Sequence, residues 1–182
     1  VTAIIGERGI GKSLLLQRLS TTFDDKAIII ECTMHGFDGI KQAFAQQFSI
    51  PEDQLNSCQL VDLIEQSDIR FIAFDNLHLL ARPKMDGAME LNRLNDFLAP
   101  LRSKSNISLI VTMLKPAYMY INSIRSDRSL LESTIELSAW SLEQTSGFID
   151  ARSQQAGIEP DFSRIDIPHQ YDEVDSDSLD AR

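Results

Sequence analysis

Gly6-Glu7-Arg8-Gly9-Ile10-Gly11-Lys12-Ser13 is the stretch of this sequence that decides its fold. It matches the pattern G-x-x-x-x-G-K-[ST] at every fixed position. Val1–Ile5, just before it, is short, apolar and rich in β-branched residues, which predicts a buried strand. Ser13–Leu19, just after it, has apolar residues at helical spacing. A strand, a glycine-rich turn and a helix in this order form the context in which such a loop binds phosphate groups.

Each residue type in the loop has a chemical reason. Glycines let the backbone turn so that successive N–H groups point at phosphate oxygens, which a side chain would block. A helix beginning near Gly11 adds its partial positive charge to the same anion site. Lys12 is expected to reach the β- and γ-phosphates, and the Ser13 hydroxyl to ligate Mg²⁺. We therefore predict a nucleoside triphosphate site. Its expected contacts are Gly6, Glu7, Arg8, Gly9, Ile10, Gly11, Lys12, Ser13 and Leu14.

Short apolar runs alternate with longer amphipathic segments along the rest of the chain. Strands are predicted at Val1–Ile5, Ala27–Cys32, Phe71–Asp75, Ile107–Met113 and Ile135–Leu137. Helices are predicted at Ser13–Leu19, Phe37–Phe48, Gln59–Gln66, Gly87–Arg102, Ala117–Leu131 and Leu142–Gln155, the last ended by Gly157. Uniformly apolar strands separated by helices imply a parallel sheet covered on both faces. The predicted fold is α/β, a three-layer αβα sandwich around a five-stranded parallel sheet.

Composition narrows the function classes. A net charge of −10 over 182 residues argues against strong nucleic-acid binding, because affinity for a phosphate backbone needs clustered cations. No apolar run approaches the roughly 20 residues that cross a bilayer, so no membrane span is predicted. Cys32 and Cys58 are too few for a disulfide framework, and their neighbours predict buried thiols in a reducing compartment such as the cytoplasm.

The two ends of the sequence differ from its middle. Residues 159–182 carry eight acidic and two basic residues and little apolar content, which predicts an acidic linker or disordered tail. A solvated spacer is the favoured interpretation, with a docking motif as the alternative. Val1 begins directly in an apolar run, so we expect a domain of a longer chain.

Asp75 is the natural second metal ligand. It ends the apolar run Phe71–Asp75, and the carboxyl ends of parallel strands are where such sheets bind ligands. The alternative is an aspartate that caps the next turn. With the phosphate loop, this strand-end aspartate resembles the AAA+ branch of P-loop ATPases, a resemblance that covers about residues 1–157. It implies ATP as the nucleotide, Mg²⁺ held by Ser13 and Asp75, and assembly into an oligomer.

The resemblance implies catalytic roles for several further residues. AAA+ proteins usually follow the aspartate with a glutamate that polarises water, but here Asn76 follows, and an amide positions water without accepting its proton. Hydrolysis is then slow, or Glu31 near the end of the second strand supplies the base. An ordinary strand-end acid is the favoured alternative for Glu31. Thr112 resembles the polar sensor residue that AAA+ proteins keep near the γ-phosphate. An equal alternative is a buried strand threonine whose hydroxyl bonds to the backbone.

Two arginines precede the fifth strand in the run INSIRSDRSLLES. In AAA+ assemblies an arginine in this region enters the neighbouring subunit's site. Arg125 and Arg128 are the candidates for that role, and a solvated helix face is the alternative.

Residues 137–157 carry a subtler resemblance. The phrase LSAWSLEQT, followed by FIDAR and Ala156-Gly157, is similar to the strand-to-lid passage of bacterial secretion-associated and transposition-helper ATPases. The same module also opens some gammaproteobacterial envelope proteins, ahead of a peptidoglycan-binding domain. We therefore predict a core over 1–140, the start of a helical lid over 141–158 and the tail over 159–182. The full-length protein could then be anchored at the inner membrane. A second sensor arginine is not assigned; Arg152 is a guess.

Three functions remain open. The first is an Mg·ATP-binding AAA+-like ATPase that acts as a switch or assembly motor, as a homo-oligomer or with a protein partner. The second is a non-hydrolysing ATP-binding scaffold, which Asn76 favours. The third, ranked last, is a small-molecule kinase, because only Arg82 and Arg93 are available after the third strand to bind an acceptor.

Overall fold

The computed structural model describes residues 1–80, 87–124 and 131–157 of the chain. The chain divides into two compact units, the first of which is Val1–Ala139, while the second begins at Trp140. No helix in these described ranges is long and apolar enough to cross a membrane.

The first unit is built on a five-stranded parallel sheet. Its strands are β1 (Thr2–Gly6), β2 (Ala27–Glu31), β3 (Phe71–Asp75), β4 (Ser108–Met113) and β5 (Ser133–Leu137). Their order across the sheet is β2-β3-β4-β1-β5, and all neighbouring strands are parallel. The carboxyl ends of β3, β4 and β1 therefore lie side by side at one edge, where ligands of parallel sheets bind.

Helices connect the strands and cover the sheet. They are α1 (Lys12–Ser20), α2 (Gly36–Gln47), α3 (Ser57–Gln66), α4 (Gly87–Arg102) and α5 (Lys115–Ile124). Short 3₁₀ turns lie at Asp24–Lys26, Glu52–Gln54 and Leu77–Leu79.

The strands bury alternate residues on opposite faces of the sheet. Ala3 and Ile5 of β1 belong to a large apolar cluster formed with α2, α3, α4 and α5. Ile4 points the other way and packs with Leu16 of α1, in a smaller cluster that also contains Phe71. Because strand side chains alternate with a period of two, continuous apolar strands fill both layers. The three-layer sandwich with five parallel strands is confirmed, with one face covered far more extensively than the other.

Most predicted boundaries agree with the structure to within two residues. α4 and β3 have the predicted limits, whereas β5 begins two residues earlier than predicted, at Ser133. Its two additional residues are polar and exposed, and they pair with β1 through the backbone. A search for apolar runs therefore does not include them in the strand. α5 begins earlier than predicted, at Lys115, and the later part of the predicted helix lies outside the described residues.

The two cysteines have different environments. Cys32 is buried, as expected, and burial raises the pKa of its thiol to about 12, with the Asp75 and Glu31 carboxylates adding to the effect. Cys58 is exposed near the start of α3, so the prediction that both thiols are buried was wrong for it. It lies in the first turn of a helix whose buried residues begin at Leu60.

The described part of the second unit is the helix α6 (Leu142–Ala156). Ser141 caps its start, since its Oγ accepts from the Gln144 N–H at 3.1 Å while Gln144 Oε1 accepts from the Ser141 N–H at 2.9 Å. Gly157 follows the last helical residue with φ +66°, a conformation that glycine adopts readily at a helix end. Part of the phrase that suggested a lid thus has a local structural explanation, because Ser141 and Gln144 form a capping box.

Candidate functional site

The predicted phosphate loop joins β1 to α1 with two glycines in left-handed conformations. Gly9 has φ +81° and Gly11 has φ +97°, values that L side chains rarely adopt. A Cβ built at either position would have no atom of the described chain within 4 Å beyond its chain neighbours. Gly6 is needed for another reason, since a Cβ there would lie 2.7 Å from the Leu137 carbonyl oxygen on β5. The left-handed backbone conformation therefore favours glycine at Gly9 and Gly11, and the close approach of β5 requires it at Gly6.

Lys12 is the first residue of α1 and is only 7% exposed. Its Nζ donates to the carbonyl oxygens of Gly6 at 3.0 Å and Glu7 at 2.6 Å. Burial lowers the pKa of this amine, and the carboxylates of Asp75 and Glu7 oppose the shift. The loop carbonyls therefore hold the ammonium in place at the base of the loop, within the electrostatic range of Asp75.

Asp75, Asn76 and Thr112 form one hydrogen-bonded group at the carboxyl ends of β3 and β4. The fully buried Thr112 hydroxyl donates to Asp75 Oδ1 and accepts from the Asn76 N–H at 2.9 Å. The Asn76 N–H also lies 3.1 Å from Asp75 Oδ1. A hydroxyl can donate one bond and accept others, so Thr112 links both neighbours at once. This link fixes the orientation of the Asp75 carboxylate.

Asn76 has φ +60°, in the left-handed region that asparagine tolerates better than most residues. The chain turns there into the 3₁₀ segment Leu77–Leu79. Leu77 is fully buried and Leu80 is 2% exposed, so both anchor the turn in the core. The residues between these two anchors are presented at the sheet edge.

A cavity of about 610 Å³ lies between the phosphate loop and this turn. The loop contributes residues that were predicted to contact nucleotide, namely Arg8, Gly9, Gly11, Lys12, Ser13 and Leu14. Asn76 lines the cavity from the opposite side, as do three residues that the sequence analysis missed: His78, Leu79 and Leu114.

His78 is the chemically important omission. It is half-buried, and its Nδ1 is buried without a hydrogen-bond partner in the part of the chain that the structure describes. Burial lowers its pKa, the Lys12 ammonium lowers it further, and Asp75 opposes both effects. The sequence does carry a signal, since His78 follows Asp75 by three residues and lies between leucines, in a turn that directly follows a buried strand.

Other predicted site residues lie around the cavity rather than in its described wall. Gly6, Glu7 and Ile10 belong to the loop without lining it. Glu31 is exposed at the end of β2 with its Cα paired to that of Asp75. Among the described residues, the Thr112 hydroxyl bonds to the Asp75 carboxylate and the Asn76 N–H, so its sensor role stays a prediction. Arg125 and Arg128 lie outside the described residues, as does Arg82.

The residues present fit a magnesium nucleotide. The Ser13 side chain is exposed in the cavity wall, and the carboxylate of Asp75 is oriented by Thr112. No group of three His, Cys, Asp or Glu side chains suited to hold a metal occurs among the residues that the structure describes. Mg²⁺ in nucleotide sites needs only one or two protein ligands, because phosphate oxygens and water complete its coordination.

A family model described as an AAA domain matches residues 1–118, the part that contains the phosphate loop, Asp75 and Thr112. The chain belongs to this family. It is therefore a P-loop NTPase of the AAA+ superfamily, as the phosphate loop and strand-end aspartate had indicated. No curated protein matches this AAA domain at the threshold of significance.

Solved structures share the fold of the AAA domain at low sequence identity. The Aeropyrum pernix ORC1 protein in complex with DNA is 18% identical with a TM-score of 0.53, covering 85% of this chain and 43% of that one. The ORC2 protein of the same organism, in its ADPNP–ADP complexes, is 15% identical with a TM-score of 0.57, covering 84% and 45%. Its ADP form is 14% identical with a TM-score of 0.54, covering 85% and 46%. The chain thus spans less than half the length of these proteins.

Proposed function

We propose that this AAA domain binds Mg·ATP and acts as a nucleotide-dependent switch or assembly module within a larger protein. The observation that carries the proposal is the buried Lys12 ammonium in the wall of a cavity built by the phosphate loop. A buried cation is costly unless a ligand or a partner stabilises it. Triphosphate oxygens supply the negative charge that such a site favours.

The metal would be held by few protein groups. Ser13 would supply a hydroxyl and Asp75 a carboxylate, directly or through water, with phosphate oxygens as the remaining ligands. Mg²⁺ supplies charge neutralisation between the β- and γ-phosphates when bound. Thr112 would keep the Asp75 carboxylate in the orientation this requires. The ADPNP and ADP complexes of the similarly folded ORC2 protein support adenine nucleotides as the ligand class.

Phosphoryl transfer to water needs positioning and charge stabilisation more than covalent chemistry. Asn76 lines the cavity, and its amide can orient an attacking water but cannot take its proton. Slow hydrolysis is the expected consequence. Glu31 would be the alternative base, although its side chain is not in the described cavity wall.

A non-hydrolysing scaffold is the second candidate, and Asn76 is the specific observation that favours it. In that case the nucleotide would stabilise one conformation and no turnover would follow. A kinase remains the weakest candidate, since Arg93 is committed elsewhere. It pairs with Asp38 and Glu90 and lies 4.7 Å from the ring of Phe37.

Oligomerisation or a protein partner is part of the proposal. Arg125 and Arg128 are the residues to test for a role in a neighbouring subunit's site. Analytical ultracentrifugation with and without ATP should show a nucleotide-dependent increase in mass that Arg125→Ala or Arg128→Ala reduces. An unchanged mass in both conditions would contradict the oligomer.

The first experiment is ATP binding by calorimetry beside steady-state phosphate release, for the wild type, Lys12→Ala and Asn76→Glu. An active ATPase should release phosphate clearly faster than Lys12→Ala. A scaffold should bind ATP yet release phosphate no faster than Lys12→Ala, with Asn76→Glu gaining activity. If the wild type binds no ATP, both proposals are overturned.

A further inference from the structure

We infer that His78 contacts the terminal phosphate of a bound nucleoside triphosphate as a neutral hydrogen-bond donor, and that it makes the site prefer triphosphate over diphosphate. This inference rests on the proposed function, because it concerns the same cavity. It adds a selectivity residue that neither the loop pattern nor the strand-end aspartate identifies.

The position of His78 is the first argument. His78 lines the cavity together with residues of the phosphate loop. The Lys12 ammonium and the Asp75 carboxylate are the charged groups that act on it electrostatically. Lys12 is the residue that reaches the β- and γ-phosphates, and Asp75 lies at the metal end of the site. The imidazole is therefore at the phosphate end of the cavity.

The protonation state of the ring is the second argument. Burial and the neighbouring ammonium disfavour a second proton, so the imidazole is neutral near pH 7. A neutral imidazole has one N–H donor and one acceptor nitrogen. Nδ1 is buried with no hydrogen-bond partner among the described residues, which leaves Nε2 as the ring nitrogen for a ligand to meet.

The hydrogen must then lie on Nε2. An unpaired N–H buried at Nδ1 would cost more than an unpaired lone pair, since orphaned buried N–H groups are the rarer kind in proteins. With the hydrogen on Nε2, the ring presents a donor to the cavity. Phosphate oxygens accept hydrogen bonds, whereas a water molecule that must lose its proton needs an acceptor. The geometry thus favours a phosphate contact over a role as general base.

The turn that carries His78 is rigid enough for this role. Leu77 and Leu80 fix it in the core on both sides, and the Asn76 N–H bonds to Thr112 fix its start. A donor held in place before the ligand binds loses little conformational entropy on binding. A flexible side chain at the same position would contribute less selectivity.

The test measures two affinities for each variant by calorimetry with Mg²⁺, one for a non-hydrolysable ATP analogue and one for ADP. His78→Leu should lose roughly tenfold or more in affinity for the analogue, in line with a hydrogen bond to a charged group. Its affinity for ADP should change by less than about threefold, because ADP lacks the contacted group. His78→Gln keeps a neutral N–H donor and should recover part of the loss.

His35→Leu is the matched control, since His35 is exposed before α2 and is not in the described cavity wall. It should leave both affinities unchanged. Equal losses for the analogue and ADP in His78→Leu would overturn the inference and indicate a structural role. An unchanged affinity ratio with slower phosphate release would also overturn it, in favour of a base. If the wild type binds neither ligand, the proposed function itself has failed.

Discussion

The two ends of the same parallel sheet differ at the nucleotide cavity. At the amino ends of the strands, charged side chains pair with one another, as Lys26 does with Asp68 at 2.5 Å and Arg102 with Glu132 at 2.8 Å. At the carboxyl ends Lys115 pairs with Glu136 at 2.6 Å, but at the cavity the partners of Lys12 Nζ among the described residues are backbone carbonyls, and His78 Nδ1 has no partner there. The paired charges serve stability, and the cavity groups that lack a charged side-chain partner are available to a ligand.

The comparison predicts that substitutions at the cavity affect ligand binding and that those at the amino ends affect only stability. The strongest test is Lys12→Ala. We expect its affinity for Mg·ATP to fall by about 100-fold or more, since a charge-assisted contact to phosphate is lost. Its free energy of unfolding should change by less than about 1 kcal/mol, because lost hydrogen bonds and a relieved burial cost offset each other.

Calorimetry and urea unfolding of the same preparation check both parts of this prediction. A large loss of stability without ligand would show that Lys12 is a structural residue, and the contrast between the two ends would fail there.

Thr112→Val should have the second largest effect. The substitution keeps the shape of a fully buried side chain but leaves Asp75 Oδ1 and the Asn76 N–H each with one partner fewer. We expect a loss of about 1–3 kcal/mol in the free energy of unfolding. Mg·ATP affinity should also fall, because Asp75, the proposed metal ligand, loses the bond that orients it.

Thr112→Ser is the control for this experiment, since it keeps the hydroxyl and should retain most of the stability and affinity. Equal behaviour of the valine and serine variants would contradict the hydrogen-bonded group.

Gly11→Ala tests the loop conformation itself. At φ +97° an alanine is strained whatever the surrounding space, so we expect a loss of about 1–2 kcal/mol in the free energy of unfolding. Gly147→Ala is the comparison, because Gly147 lies within α6 and an alanine favours a helix interior. It should leave stability unchanged or slightly higher. Thermal unfolding of both variants measures the difference, and similar losses would show that φ at Gly11 is not the cause.

Asp68→Asn at the amino ends should have the smallest effect. The hydrogen bond from Lys26 holds the pKa of Asp68 below its usual value, with Arg70 acting in the same direction. A lowered folded pKa gives stability that is complete above the unfolded pKa and is lost as pH falls through the folded one. The wild type should therefore be slightly more stable than the variant at pH 7, and the difference should disappear as the pH falls through the lowered folded pKa of Asp68.

Urea midpoints at several pH values and at low and high salt check this, since exposed pairs are weakened by salt. Asparagine tolerates the φ of +51° at this position, so backbone strain does not enter the comparison. Nucleotide affinity should be unchanged, and a changed affinity would break the separation between the two ends.

How far the sequence predicts this protein depends on the range of the interactions involved. α4 and the phosphate loop are set by neighbouring residues, so periodicity and glycine spacing located them correctly. Asp75 was placed at a sheet edge by its position at the end of an apolar run. β5 begins at Ser133 because β1 pairs with it, and no local pattern records that pairing. His78 was missed because its importance comes from Lys12, which lies 66 residues earlier in the chain.

The sequence by itself determined the α/β class, the phosphate loop and the membership of the AAA+ superfamily, because these depend on contiguous patterns of apolar, glycine and charged residues. Only the tertiary structure decided the strand order, the bond between Thr112 and Asp75, and the cavity shared by Lys12 and His78. Those contacts join segments far apart in the chain. Their energies arise only after the sheet has brought the carboxyl ends of β1, β3 and β4 together.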